Sequence, residues 1–189
     1  MGPTLSALPN GIDVEALKGF AQAVSQDPAQ GVVSYRVNSA WKGGTRMEAT
    51  IPGFTLGGVE IPNRFTLAVD EPAQLLGSNT APSPSELIMS GLNACMMVGY
   101  VANAALRGIT LKKLEIETTG SLDLRGFLGL DDSVKPGFEE MQYTVRIAGD
   151  GTIRASPFER RVERLVFPHQ CDGLFQVAVL DVAFGNRTV

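Results

Sequence analysis

Apolar positions in the first part of the chain recur at helical steps: Val14, Leu17, Phe20, Ala21 and Val24 follow Asp13, a good N-cap, and the run stops at "DPAQG". From Val32 the period changes to two. "VVSYRVNSAW" places Val33, Tyr35 and Val37 on one face, "TRMEATI" continues after Gly43-Gly44, and "RFTLAVD" alternates Phe65, Leu67 and Val69, which predicts strands of a meander. "LGSNTAPSPSE" reads as a loop delivering the chain into a helix of roughly twenty residues that ends at Arg107, with Gly108 as the residue past its end. Alternation returns in "LKKLEIETTGSLD" and "MQYTVRIAGDG", separated by the loop "RGFLGLDDSVKPGFEE". "SPFERRVERLVF" predicts a second C-terminal-half helix, with a serine cap, Pro157 in the first turn and Phe158, Val162 and Leu165 at helical spacing. After the break at Pro168, "PHQCDGLFQVAVLDVAFG" passes Cys171 and ends in a strand. Strands then helix, twice over, is an α+β pattern, and no repeat or low-complexity tract interrupts it.

Within the central helix, Ile88, Gly91, Leu92, Cys95, Val98, Gly99, Ala102, Ala105 and Leu106 form one apolar stripe. So apolar a helix needs cover from more than one side, and its small residues Gly91, Ala94, Gly99 and Ala102 admit a close neighbour. A sheet on one side and a partner helix on the other would supply it.

Composition narrows the function. With 189 residues, 44% of them hydrophobic and 19% charged, the chain suits one compact soluble domain. Sixteen basic residues against 20 acidic ones, scattered without a patch, give a net charge of -4 and exclude the usual electrostatic footprint of a nucleic-acid binder. The amino terminus shows no secretory leader and no stretch reads as a membrane span, so a cytoplasmic protein without a membrane partner is expected. In such a compartment two distant cysteines are free or transiently oxidised thiols rather than a permanent staple.

Cys95 has two readings. A free cysteine in an apolar helix ordinarily fills core space, and its thiolate is also a nucleophile. Cys171 and the single histidine, His169, lack the four-ligand spacing of a zinc site, and a Cys95–His169 pair for acyl or group transfer has no local support.

Taken whole, "DEPAQLLGSNTAPSPSELIMSGLNACMM" resembles the OsmC/Ohr family of thiol-dependent peroxidases, as do "WKGGTR", "ITLKKLEIETTGSLDLRGFLG", "PGFEEMQYTVRI" and the second cysteine. The resemblance runs from about residue 32 onward and leaves residues 1–30 as an N-terminal helical extension. It implies an OsmC-like α+β fold in which strands of an intertwined homodimer wrap long central helices. It also implies reduction of organic hydroperoxides without metal or organic cofactor, with an external dithiol as reductant. By the same resemblance Cys95 is the peroxidatic thiol, Cys171 the resolving thiol, and Arg46 the cation that keeps the thiolate charged and donates to the peroxide. Glu86 is the candidate to hold Arg46, although it falls one position later than the family glutamate, about 100° around a helix; its other reading is a first-turn charge favoured by the helix dipole. The family's Cys-Pro is Cys171-Asp172 here. Met89, Leu92, Met96 and Phe127 are the expected apolar lining. The rival within the same fold is a non-catalytic protein that binds a small apolar molecule at the dimer interface, with Cys95 as packing.

Overall fold

The computed structural model describes residues 8–150 and the backbone of the strand 174–184; the expected helix over "SPFERRVERLVF" and both His169 and Cys171 lie outside these residues. The chain divides into two compact units, 13–91 and a second made of 1–12 with 92–189.

In the 13–91 unit, Asp13 accepts a hydrogen bond from the Ala16 amide at 2.9 Å and opens helix α1, Val14–Gln26, as the sequence predicts. Asp27 ends α1 and caps the following 3-10 turn through Ala29. Four strands follow: β1 (Val33–Tyr35), β2 (Asn38–Trp41), β3 (Met47–Leu56) and β4 (Val59–Val69). The expected strand over "VVSYRVNSAW" is therefore two short strands, both antiparallel to β3, β1 against Phe54–Leu56 and β2 against Met47–Thr50. The break has a cause in β3, whose register against β4 shifts between Ile51 and Gly53. A strand bent there cannot offer one continuous edge.

In the other unit, β5 (Leu111–Ser121) and β6 (Glu140–Gly149) are antiparallel, and β7 (Leu174–Phe184) lies parallel to β6 on its far side. Met141, Tyr143, Val145 and Ile147 are buried at every second position of β6, the alternation the sequence shows. Among the described residues, Asn10 ties the N-terminal segment to this unit. Asn10, at φ 51°, donates from Nδ2 to the Ile109 carbonyl and accepts from the Leu111 amide, both at 2.8 Å, which imitates a backbone pairing at the start of β5. The loop after β5 contains a helical turn, α3 (Leu124–Phe127), which alternation alone did not predict; Asp123 caps it and pairs with Arg125 at 2.6 Å.

The central helix α2 spans Pro84–Leu106. Its core contact is Met96, 2% exposed, which clusters with Tyr143, Val145 and Ile147 of β6, while Leu92 and Tyr100 pack on the cluster's rim. On the stripe that carries Cys95, about 100° around the helix from Met96, Ile88 is 51% and Val98 69% exposed and Cys95 is exposed, whereas Leu92 packs on the cluster and Ala105 is 2% exposed. The sheet covers one side of the helix, as expected. By length and composition alone α2 would also pass as a membrane span, with mean hydropathy 1.3 over its most apolar window, but its Met96 face is occupied by the sheet and its Asn93 side chain is hydrogen-bonded to Thr118 of β5.

Candidate active site

Cys95 sits near the middle of α2 with its thiol reaching the surface of the chain. The helix itself dictates this: consecutive residues differ by about 100°, so the turn that drives Met96 into the β6 cluster turns Cys95 outward. Met96 is accordingly core rather than pocket lining, and Phe127 is 70% exposed on the loop after β5. The inert-filler reading of Cys95 requires burial, and among the described residues Cys95 is exposed.

Arg46 follows the turn between β2 and β3. Gly43 and Gly44 have φ of 97° and 60°, a conformation that a Cβ would strain, and they let the Arg46 amide close on the Gly43 carbonyl at 3.1 Å. The Arg46 side chain is exposed and forms no ion pair among the described residues. Arg46 belongs to one compact unit and Cys95 to the other.

Glu86 is engaged locally. The Ser83 amide donates to Glu86 Oε2 at 2.7 Å and the Glu86 amide donates to Ser83 Oγ at 3.3 Å, a capping box around Pro84 at the first position of α2. Ser83, through its amide first and its hydroxyl second, holds the Glu86 carboxyl below its ordinary value. No Arg46–Glu86 pair forms, and the signature S-x-x-E ahead of an apolar run was legible in "SPSELIM".

Asp70 is the residue that sequence reasoning missed. At the end of β4 it is 1% exposed, yet its carboxylate accepts five hydrogen bonds: at Oδ1 from Thr45 Oγ1 (2.7 Å) and the Glu71 amide (2.9 Å), and at Oδ2 from the Ser78 amide (3.1 Å), the Thr80 amide (3.1 Å) and Thr80 Oγ1 (2.8 Å). The Thr45 hydroxyl above all, with the Thr80 and Glu71 donors, outweighs burial and holds this carboxyl well below the usual carboxylate range. The available signal was an aspartate closing a strand ahead of "GSNT", a run rich in donors.

Among the described residues no three His, Cys, Asp or Glu side chains gather as metal ligands. A cleft of about 350 Å³ beside Tyr35 and Phe54 contains none of the candidate residues.

Residues 77–166 match the family model described as OsmC-like protein, a segment that includes Glu86 and Cys95 but neither Arg46 nor Cys171. Among solved structures the fold is similar to an OsmC-like protein from Mycoplasma pneumoniae, at TM-score 0.53 and 16% identity over 81% of this chain and 98% of that one. It also shows a looser likeness to a putative osmotic stress induced and detoxification response protein from Psychrobacter arcticus, at TM-score 0.48 and 15% identity over 82% of this chain and 98% of that one. No curated protein matches the sequence. The chain therefore carries an OsmC-like region over residues 77–166, on the fold of an OsmC-like protein.

Proposed function

We propose that the protein is a thiol-dependent peroxidase that reduces organic hydroperoxides. The observation that carries this reading is Cys95: a thiol open to solvent on the central helix, inside the OsmC-like region. The Cys95 thiolate attacks the outer peroxide oxygen, the O–O bond breaks, and the alkoxide leaves as an alcohol after taking a proton; Cys95 is then a sulfenic acid. The Cys171 thiol condenses with it, releasing water and forming a disulfide, and an external dithiol returns both cysteines to thiols by exchange. Arg46 supplies the positive charge that favours the thiolate and donors for the peroxide oxygens. Glu86 serves α2 as its cap.

Two copies of the chain build the working protein in this proposal. The support is the exposure of the apolar Ile88 and Val98 side chains on α2, which the hydrophobic effect penalises and which a second α2 would cover. An apolar wall beside the thiol favours alkyl hydroperoxides over hydrogen peroxide.

A second reading, a non-catalytic protein holding a small apolar molecule at that interface, is favoured by Glu86, whose commitment to Ser83 leaves Arg46 without a carboxylate partner among the described residues. One experiment separates the two. Mass spectrometry after stoichiometric cumene hydroperoxide should find a Cys95–Cys171 disulfide and an equivalent of alcohol; unmodified thiols with intact peroxide would leave the ligand-binding reading.

A further inference from the structure

The turn that carries Arg46 contains two adjacent glycines at positive φ, which restrain its backbone less than residues with a Cβ would. Hydrogen bonds within the hairpin limit it only partly: the Lys42 amide donates to the Arg46 carbonyl at 2.9 Å, and Trp41 Nε1 donates to the Gly44 carbonyl at 2.8 Å. The Lys42–Glu48 ion pair, 3.2 Å, also stays inside the β2–β3 hairpin. Among the described residues, the side-chain bond that ties the turn to another segment is Thr45 Oγ1 to Asp70.

At its other oxygen the same carboxylate gathers the Ser78 amide and both donors of Thr80, so the loop 71–83 is wound around it. That winding is tight. Gly77 passes so close to the Glu71 backbone that a Cβ there would collide with its carbonyl, and the Gly77 and Asn79 amides donate back to Pro72 and Glu71 at 3.0 Å each. The Asp70 amide itself donates to the Pro82 carbonyl at 3.2 Å, one residue before the Ser83 cap of α2. Asp70 forms no ion pair among the described residues, so its buried charge is compensated by these neutral donors alone. Holding a loop does not need a charge; an ionised acceptor that is shared between the loop and the Arg46 turn fixes one against the other.

We infer that Asp70 is a positioning residue: through Thr45 it sets the turn that presents Arg46, and through Ser78 and Thr80 it sets the loop leading into α2. This rests on the peroxidase reading only in that Arg46 acts on Cys95.

Because Asp70→Asn alters five bonds at once, the test cuts a single arm in the full chain. Thr45→Val removes the hydroxyl at constant volume, and Thr45→Ser restores it. Two rates are read at Cys95: sulfenic acid formation with cumene hydroperoxide, and alkylation by iodoacetamide as a function of pH, which needs no peroxide chemistry. Thr45→Val should slow the peroxide reaction about tenfold, the scale of a small misplacement of a catalytic group, and move the alkylation profile to higher pH. Thr45→Ser should stay within about twofold of the unaltered chain. In an Arg46→Met background, Thr45→Val should change neither rate further. The inference is overturned if Thr45→Val matches the unaltered chain in alkylation, or if it slows Cys95 equally with and without Arg46. Normal alkylation coupling with no peroxide consumed by the unaltered chain would instead sink the peroxidase reading and leave Asp70 in place.

Discussion

Ser83 and Glu86 hold each other at the start of α2, the amide of each bonded to the side chain of the other at 2.7 and 3.3 Å. A carboxylate so engaged stabilises a helix end and does not orient a distant guanidinium. Ser83→Ala should cost about 1 kcal/mol, a fall in Tm of about 2–4 °C. Glu86→Gln, which keeps an acceptor for the Ser83 amide, should leave the rate of peroxide reduction within about twofold. A large loss of rate in Glu86→Gln with Tm unchanged would return Glu86 to the site beside Arg46.

Neighbouring residues on α2 should separate packing from chemistry. Met96→Ala empties a site in the β6 cluster and should cost about 2–5 kcal/mol in urea unfolding. Cys95→Ser should keep the circular dichroism of the unaltered chain and consume no hydroperoxide, while Cys171→Ser should give one turnover and a trapped sulfenic acid. Turnover by Cys95→Ser in excess dithiol would refute the mechanism.

Arg46→Met deletes a charge and keeps an apolar stem at an exposed position, so the fold should be unaffected. Reaction of Cys95 with cumene hydroperoxide near pH 7 should slow by about ten- to a hundredfold and recover in part at alkaline pH, where the thiol ionises unaided. Complete recovery would show that Arg46 donates nothing to the peroxide; an unchanged profile would remove it from the site.

Val98, 69% exposed in the Cys95 stripe, is the position from which to test assembly. Light scattering at low micromolar concentration should give twice the chain mass, and Val98→Glu, which buries a charge in any α2–α2 contact, should give the single mass with the sheet spectrum retained. A monomeric unaltered chain would refute the dimer.

Acid should loosen the Asp70 knot. Its carboxyl has a folded-state pKa below the unfolded one, so the stabilisation it provides is complete above about pH 4 and is lost as the pH falls through the folded value. Urea midpoints should therefore drop steeply below about pH 4, and less steeply in Thr45→Val, which lacks the largest of the contributions that lower the Asp70 value. Equal slopes in the two proteins would contradict that assignment.

Periodicity made most of the elements legible. The steps of three and four in 14–24 and 84–106 and the alternation in β3 to β6 match the elements observed, and in β6 the cause is visible, since burial of every second side chain selects apolar residues at that interval. It overlooked the break between β1 and β2, which is imposed by a bend in the facing strand β3 and leaves no mark in the local pattern. It grouped Cys95 with Ile88 and Val98 on one apolar stripe without saying which face the sheet takes, and the sheet takes the face of Met96 one residue on; an apolar helix with apolar residues on several faces does not announce which one its own chain will use. Asp70 escaped because its five donors are scattered from Thr45 to Thr80, and only tertiary structure gathers them.

The parallel pairing of β7 with β6 orders events during synthesis. Glu140 meets Leu174 and Gly149 meets Phe184, so the middle strand of this sheet acquires its second neighbour only after more than thirty further residues have left the ribosome. Until then β6, with its buried row of Met141, Tyr143, Val145 and Ile147, presents an open edge along its length. A nascent chain stalled before Leu174 is thus a template for pairing with its neighbours on a polysome, and the translation speed of residues 150–184 sets how long that hazard lasts.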